Sequence, residues 1–424
     1  MTVPDQGPTQ AATYFRKGFG LKGEVEGTLA ADYDGTLVDL LRERGHTLTI
    51  DHVTVRLARE FGFCYGVERA VEYAYQTRRK FPDRRIRLVG EIIHNPHVNR
   101  RLGEMGIEIL TPGQDAHGKP LFDYSLVATD DVVILPAFGV TIRDFETLRT
   151  LGCVVVDTTC GSVLNVWKRV DSYARDGLTA LIHGKHYHEE TRATASQVER
   201  YPGGQYLVVR DMSEAQLVCE YIEGSGDREA FMAKFARAVS LGFDPDVHLR
   251  RIGVANQTTM LARESLAIGD VVGQAIARRY GDGYRAANFR TFDTICSATQ
   301  DRQDAVEELL REPLDAMVVI GGYNSSNTIS LAALCAELVP TFHVEDATSI
   351  DPAARTIVYR PAGVRHSEAT TSEWMPDAGP VRIGLTAGAS TPNNKIGETV
   401  ARIFATRGID IRAAGIAAAD PAPG

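Results

Sequence analysis

The chain has 424 residues, 44% of them hydrophobic and 24% charged, with a formal net charge of −9. That length accommodates two to four ordinary domains, and that composition belongs to a globular protein. The acidic balance removes the electrostatic case for nucleic acid or an anionic membrane, and no apolar run approaches the roughly 18 residues of a membrane span.

Residues 1–52 read as an extension, a solvated arm packed on the first domain. YFRKGFGLKGEVEGTLAADY is poor in periodic hydrophobicity, and LVDLLRERG predicts a short helix ending at Gly45. Glu24, Glu26, Asp32 and Asp34 are unlike a signal or transit peptide, which points to the cytoplasm. Six cysteines are too sparse for a disulfide scaffold.

From residue 53 strand and helix patterns alternate, which predicts α/β architecture with parallel pairing. The spacing divides the chain into units 53–158, 159–293 and 294–405, the second carrying a helical insert near residues 223–250. A tail, 406–424, is rich in Ala and Pro and is expected to be mobile.

Each unit has a cysteine where an apolar run gives way to a helical pattern. Cys64 precedes Val67, Ala70, Val71 and Ala74; Cys160 precedes Val163, Val166, Trp167 and Val170; both sets fall at i, i+3, i+4, i+7. Cys296 precedes Ala305, Val306, Leu309 and Leu310. Free N–H groups and the helix dipole favour a thiolate there. Cys153, Cys219 and Cys335 lie inside apolar patterns and read as small core residues. The other three can be core residues too, zinc ligands without a CxxC pair, or ligands of a 4Fe–4S cluster with one open iron. Spacing alone leaves these open.

Polar loops follow the apolar runs: HN at 94–95, HEE at 188–190, NQTT at 256–259, NSSN at 324–327 and Ser390-Thr391. Such side chains cap helices, and they also cradle phosphate at helix N-termini. His97, His183 and His186 read as surface or supporting residues. Glu190, near a helix start, either complements the dipole or is a buried proton donor with a raised pKa. No GxxxxGK[ST] and no strand-linked GxGxxG argues for ATP or a dinucleotide.

The segments FGFCYGVERAV, EIIHNPHVN, VVDTTC, HGKHYHEETRATAS, ANQTTML, TICSATQDRQDAV, NSSNT and TAGASTP span residues 61–392. Together they closely resemble the 4-hydroxy-3-methylbut-2-enyl diphosphate reductases, in their cyanobacterial and plant-like branch. The resemblance implies three related α/β domains in a trefoil around one 4Fe–4S cluster, held by Cys64, Cys160 and Cys296 with one open iron site. It implies that His94, His188, Ser325, Ser326, Asn327 and Ser390 hold the substrate diphosphate. Thr258 would lie near the substrate hydroxyl with Gln257 beside it, and Glu190 would donate the proton. The activity implied is the last step of the methylerythritol phosphate route to isoprenoids. Its electrons would come from ferredoxin or flavodoxin, in a monomer or homodimer. A redox-neutral iron–sulfur hydro-lyase and a non-catalytic iron–sulfur sensor or carrier are the competing readings.

Two positions depart from the family pattern. Phe138 stands where many bacterial members have histidine, a change the plant-like branch shares. Gly161 stands where the family usually has proline, which loosens the turn after Cys160.

Overall fold

IRLV, VVIL and AMVVI are apolar at almost every position, and all three become strands buried on both faces. Parallel sheets covered by helices on each side require that pattern. The computed structural model describes residues 13–114, 120–364 and 366–411.

The first sheet runs, edge to edge, Tyr14–Phe15, Val154–Asp157, Val132–Leu135, Ile86–Val89, Ile107–Leu110, all parallel. The second, also parallel, runs Tyr206–Val209, Thr179–His183, Ile252–Asn256, Phe289–Thr291. The third runs Thr341–Val344, Ala316–Ile320, Val381–Ala387, Val53–Leu57, Thr47–Ile50. Only its last pair is antiparallel, joined at Asp51, whose φ of 51° makes the tight reversal. The mixed α/β fold with three main sheets agrees with the expected three-domain class.

Two boundaries differ from the expectation. The strand Val53–Leu57, expected to open the first unit, pairs instead with Val381–Ala387 in the third sheet. Residues 14–50 are also more than a solvated arm. Tyr14–Phe15 adds an edge to the first sheet, and Thr47–Ile50 adds one to the third. The helix Thr36–Glu43 buries Leu37, Val38 and Leu41 in the core that holds Ile396, Val400 and Phe404. The short helix expected from LVDLLRERG is there; what the sequence left open is the partner it packs on. The tail expected to be mobile lies outside the described residues from 412 onward; before that, Ile409 and Ile411 pack in the third core.

The cysteine turns prove to be the places where the chain changes domain. The strand Val53–Leu57 lies in the third sheet, whereas the helix Tyr65–Lys80 packs Val67, Ala70, Val71 and Ala74 against the first. The strand Val154–Asp157 lies in the first sheet, and the helix Gly161–Arg175 packs Val166, Val170 and Tyr173 on the second. The strand Phe289–Thr291 lies in the second sheet, and the helix Ser297–Leu309 packs Val306 and Leu309 on the third. Among the described residues no helix is long and apolar enough to cross a membrane.

Leu41→Ala tests whether the extension belongs to the third core. Leu41 is fully buried, so the truncation is expected to cost about 2–5 kcal/mol in chemical denaturation. A solvated arm would register almost nothing.

Candidate functional site

Cys64, Cys160 and Cys296 are each the N-cap of the helix that follows, with extended backbone (ψ of 163°, 142° and 145°). A side chain there leans over the first turn, where backbone N–H groups have no helical partner. The Sγ of Cys296 accepts the Thr299 N–H at 3.3 Å, with Thr299 Oγ1 at 3.0 Å. Burial pushes the Cys64 thiol up and the Cys296 thiol to about 11, while N–H groups at the helix starts pull the other way. All three thiols line one cavity of about 90 Å³.

Two arginines tie these turns together. Arg69, on the helix begun by Cys64, donates to the carbonyls of Thr158 and Thr159, just ahead of Cys160. Arg302, on the helix begun by Cys296, donates at 2.6 Å to the carbonyl of Gly62, just ahead of Cys64, and at 2.7 Å to that of Ala298. A third, Arg169, lies 4.0 Å over the ring of Phe292, ahead of Cys296. Each helix that leaves a cysteine thus carries an arginine to the next crossing. The expectations from the sequence did not include this set; arginine in a helix reads as a solvated residue until its target carbonyl is known.

Glu190 lies in the first turn of the helix Glu189–Ala195, capped by His188, and is 2% exposed. Its carboxylate accepts the Thr258 N–H at 2.6 Å and the Thr258 hydroxyl at 3.0 Å. Burial raises its pKa to about 7, against the lowering effect of the Thr258 bonds. Both residues line the cavity.

His94, His188, Ser325, Ser326, Asn327 and Ser390 line the same cavity and are buried. Ser325 caps the helix Ser326–Ala336 by accepting from the Thr328 N–H, so that helix directs its N-terminus at the chamber. Asn327 accepts the Ala389 N–H at 2.9 Å, and its buried Nδ2 has no partner, a donor waiting for an acceptor. Ser390 donates to the His94 carbonyl at 3.1 Å. Gln257, expected beside Thr258, is buried next to it. Its amide oxygen takes the Lys185 N–H and the Thr191 hydroxyl, and its Nε2 donates to Thr259. His183 is likewise buried, its Nδ1 2.7 Å from Ser265 and its carbonyl holding Gln257 N at 2.8 Å. His186 is exposed, and His97 packs edge-on against Tyr33.

Phe138 stacks on the His94 ring, centroids 4.2 Å apart, and meets His188 edge-on. Phe138 therefore orients both histidines. Among the described residues, ligand atoms of His94, His188 and Glu189 lie within 4.8 Å of one another, the spacing of a single-ion site. The hydrogen bonding opposes that use. Burial holds His188 neutral, and its Nδ1 already accepts the Glu190 N–H at 3.2 Å. The ring proton then sits on Nε2, 3.3 Å from His94 Nε2, so neither nitrogen of His188 keeps a free lone pair for a metal.

Residues 55–404 match the family described as LytB protein. A curated protein of Gloeobacter violaceus named 4-hydroxy-3-methylbut-2-enyl diphosphate reductase is 48% identical over 403 residues, 94% of each chain. A protein of the same name from a Synechococcus is 47% identical over 397 residues, 93% of this chain and 96% of its own. A solved structure, the E-1-hydroxy-2-methyl-but-2-enyl-4-diphosphate reductase from Plasmodium falciparum, is similar in fold with a TM-score of 0.57. It is 20% identical and covers 82% of this chain and 87% of its own.

Gly161 offers a test of the turn geometry. It is the first residue of its helix, a Cβ there would meet nothing within 4 Å, and Cys160 has the extended backbone that precedes proline. Gly161→Pro is expected to raise stability by about 0.4–1 kcal/mol in denaturant titration. A loss of stability would show that the turn uses the glycine N–H or its freedom.

Proposed function

The chain belongs to the LytB protein family, and we propose that its central chamber reduces 4-hydroxy-3-methylbut-2-enyl diphosphate. One observation supports this above the rest: three thiols from three domain crossings open into the same chamber as the Glu190–Thr258 pair. The products are isopentenyl and dimethylallyl diphosphate, at the last step of the methylerythritol phosphate pathway. Each turnover takes up two electrons and two protons, breaks the allylic C–O bond, releases water and forms one C–H bond. A hydro-lyase or a sensor leaves either the family or the diphosphate loops without an account.

The donor set fits an iron–sulfur group. Thiols are its ligands, and the grouping close enough for one small ion consists of other residues. Room is kept for it as well: a Cβ on Gly66 would lie 2.5 Å from Cys160 Sγ and 4.0 Å from Cys64 Sγ. Cys64, Cys160 and Cys296 would hold one 4Fe–4S cluster with an open iron. When bound, that group supplies single electrons and a Lewis-acidic site for the substrate hydroxyl.

The remaining work falls to side chains. Ser325, Ser326, Asn327, Ser390, His94 and His188 bind the diphosphate with hydroxyl, amide and imidazole donors beside a helix N-terminus. Their grip on a part of the substrate that does not react orients the carbon that does. Glu190, its pKa raised by burial to about 7, passes its proton through Thr258 Oγ1 to the departing hydroxyl. Gln257 fixes the Thr258 and Lys185 loops. The chain works in the cytoplasm, as a monomer or homodimer, with electrons from ferredoxin or flavodoxin.

Glu190→Gln keeps the hydrogen-bonding shape and removes the acid; kcat is expected to fall about 10²–10⁴-fold with iron content unchanged. Near-normal turnover would exclude the role. The protonated carboxyl is the active form, so native kcat/KM is expected to fall as pH rises through about 7, and the variant's profile to lose that limb. Cys160→Ser and Gly66→Ala, one removing a ligand and the other filling its space, are both expected to lower cluster iron after anaerobic reconstitution. Full iron and sulfide in Cys160→Ser would remove it as a ligand.

A further inference from the structure

Glu91 follows the strand Ile86–Val89 of the first sheet, yet it reaches across to the third domain. One carboxylate oxygen, Oε2, lies 3.0 Å from His94 Nδ1 and accepts from Asn324 Nδ2 at 2.9 Å. Glu91 lines a neighbouring cavity of about 280 Å³, which shares His94 and Phe138 with the chamber.

The hydrogen bonds fix where the protons of the histidine pair lie. His188 Nδ1 accepts the Glu190 N–H, so the one proton of its neutral ring is on Nε2. That nitrogen faces His94 Nε2 at 3.3 Å, a contact with room for a single proton. His94 Nε2 therefore accepts, and its own proton is on Nδ1, toward Glu91. Each imidazole N–H is then spent, one on the other ring and one on a carboxylate. A phosphate oxygen arriving at this pair meets no imidazole donor. Glu189, Glu190 and Lys185 also bear on the pair. Glu189 Oε2 is 3.5 Å from His94 Nε2 and 4.0 Å from His188 Nδ1, while Glu190 is coupled by charge to His94 and Lys185 to His188. Carboxylates beside a diphosphate oppose its binding unless a proton stands between them.

We propose that the diphosphate binds together with a proton, taken up from solvent at His94 Nε2, and that Glu91 is the positioning residue that holds it there. Proton uptake of this kind rests on the reductase reading and gives its histidine ligands the donors they need. With His94 protonated, both Nε2 atoms carry hydrogen, so they no longer bond each other and each turns to a phosphate oxygen. Glu91, bonded to Nδ1, stabilises the imidazolium from the other nitrogen of the ring through a charge-assisted hydrogen bond. The same oxygen holds Asn324, so its charge also keeps the loop before the helix Ser326–Ala336 against His94.

The test is calorimetric titration of the oxidised holoenzyme with isopentenyl diphosphate, which has the diphosphate but no hydroxyl for the iron. At about pH 8 free imidazole is neutral and the diphosphate is ionised, and buffers of different ionisation enthalpy report the protons taken up. Native enzyme is expected to take up about one proton per site, with affinity falling as pH rises. Glu91→Gln keeps an oxygen for both His94 and Asn324 and removes the charge. It is expected to lose most of the uptake and to bind about tenfold more weakly, with substrate KM raised and kcat close to native. Turnover at saturating substrate with dithionite-reduced methyl viologen reports that the variant is folded. A merely loosened loop would weaken binding and leave the proton count unchanged. Glu190→Gln is expected to keep the uptake, which separates the histidine pair from the nearby acid. Binding without proton uptake, uptake unchanged in Glu91→Gln, or uptake lost in Glu190→Gln overturns the proposal. Native enzyme that neither binds the diphosphate nor turns over overturns the reductase instead.

Discussion

The structure depends on three helix N-caps being forced into one place. At each crossing between sheets the chain ends an extended segment, places a cysteine in the cap position and begins a helix that packs on the next domain. Three crossings, third to first, first to second and second to third, close a ring. A ring closed in this way has its cap residues facing its centre, and that is where the thiols lie. Arg69 and Arg302 then tie one turn's carbonyls to another crossing's helix. Both keep a buried Nε without a partner and, among the described residues, no carboxylate beside them. Arg302 is buried and Arg69 half-buried, and the Arg302 charge favours the ionised Cys64 thiol against the burial that opposes it.

Electrostatics divides the chamber into two regions with different tasks. Near the thiols, burial opposes ionisation of Glu190, while Thr258 favours it through two hydrogen bonds. The same burial that raises its pKa makes it a usable acid at neutral pH. Toward the helix Ser326–Ala336 the lining is rich in donors: hydroxyls, an unpaired amide N–H and a pair of histidines joined through their Nε2 atoms. Lys185, with Nζ 3.1 Å from Ser326 Oγ, brings positive charge to that edge. A polyanion is stabilised by such a lining, whereas a bare cation is not.

The two departures from the family pattern have different consequences. Phe138 fills its position with a ring that fixes His94 by stacking. Gly161 lies in open space at a helix start and changes nothing around it. The extension shows the opposite relation of sequence to structure. Its residues looked like a solvated arm, but Leu37, Val38 and Leu41 are buried and Tyr14 bonds Asp157 at 2.6 Å. Short segments with weak periodicity acquire their structure from partners hundreds of residues away, and no local pattern carries that information.

Local chemistry was legible in the linear chain wherever a residue acts on its neighbours. Apolar runs specified buried parallel strands, i, i+3, i+4, i+7 spacing specified the helix faces behind Cys64 and Cys160, and capping residues specified the starts that point at the chamber. Tertiary structure alone decided which sheet each strand joined, and hence that Val53–Leu57 belongs with Val381–Ala387. It also decided that Gln257 joins the Lys185, Thr191 and Thr259 segments, that Arg69 and Arg302 lock the crossings, and that Cys296 lines two cavities. The reason is physical. Backbone periodicity and capping are settled within a few residues, whereas strand partnership, burial and the company a charge keeps are settled by segments that meet only when the chain closes on itself.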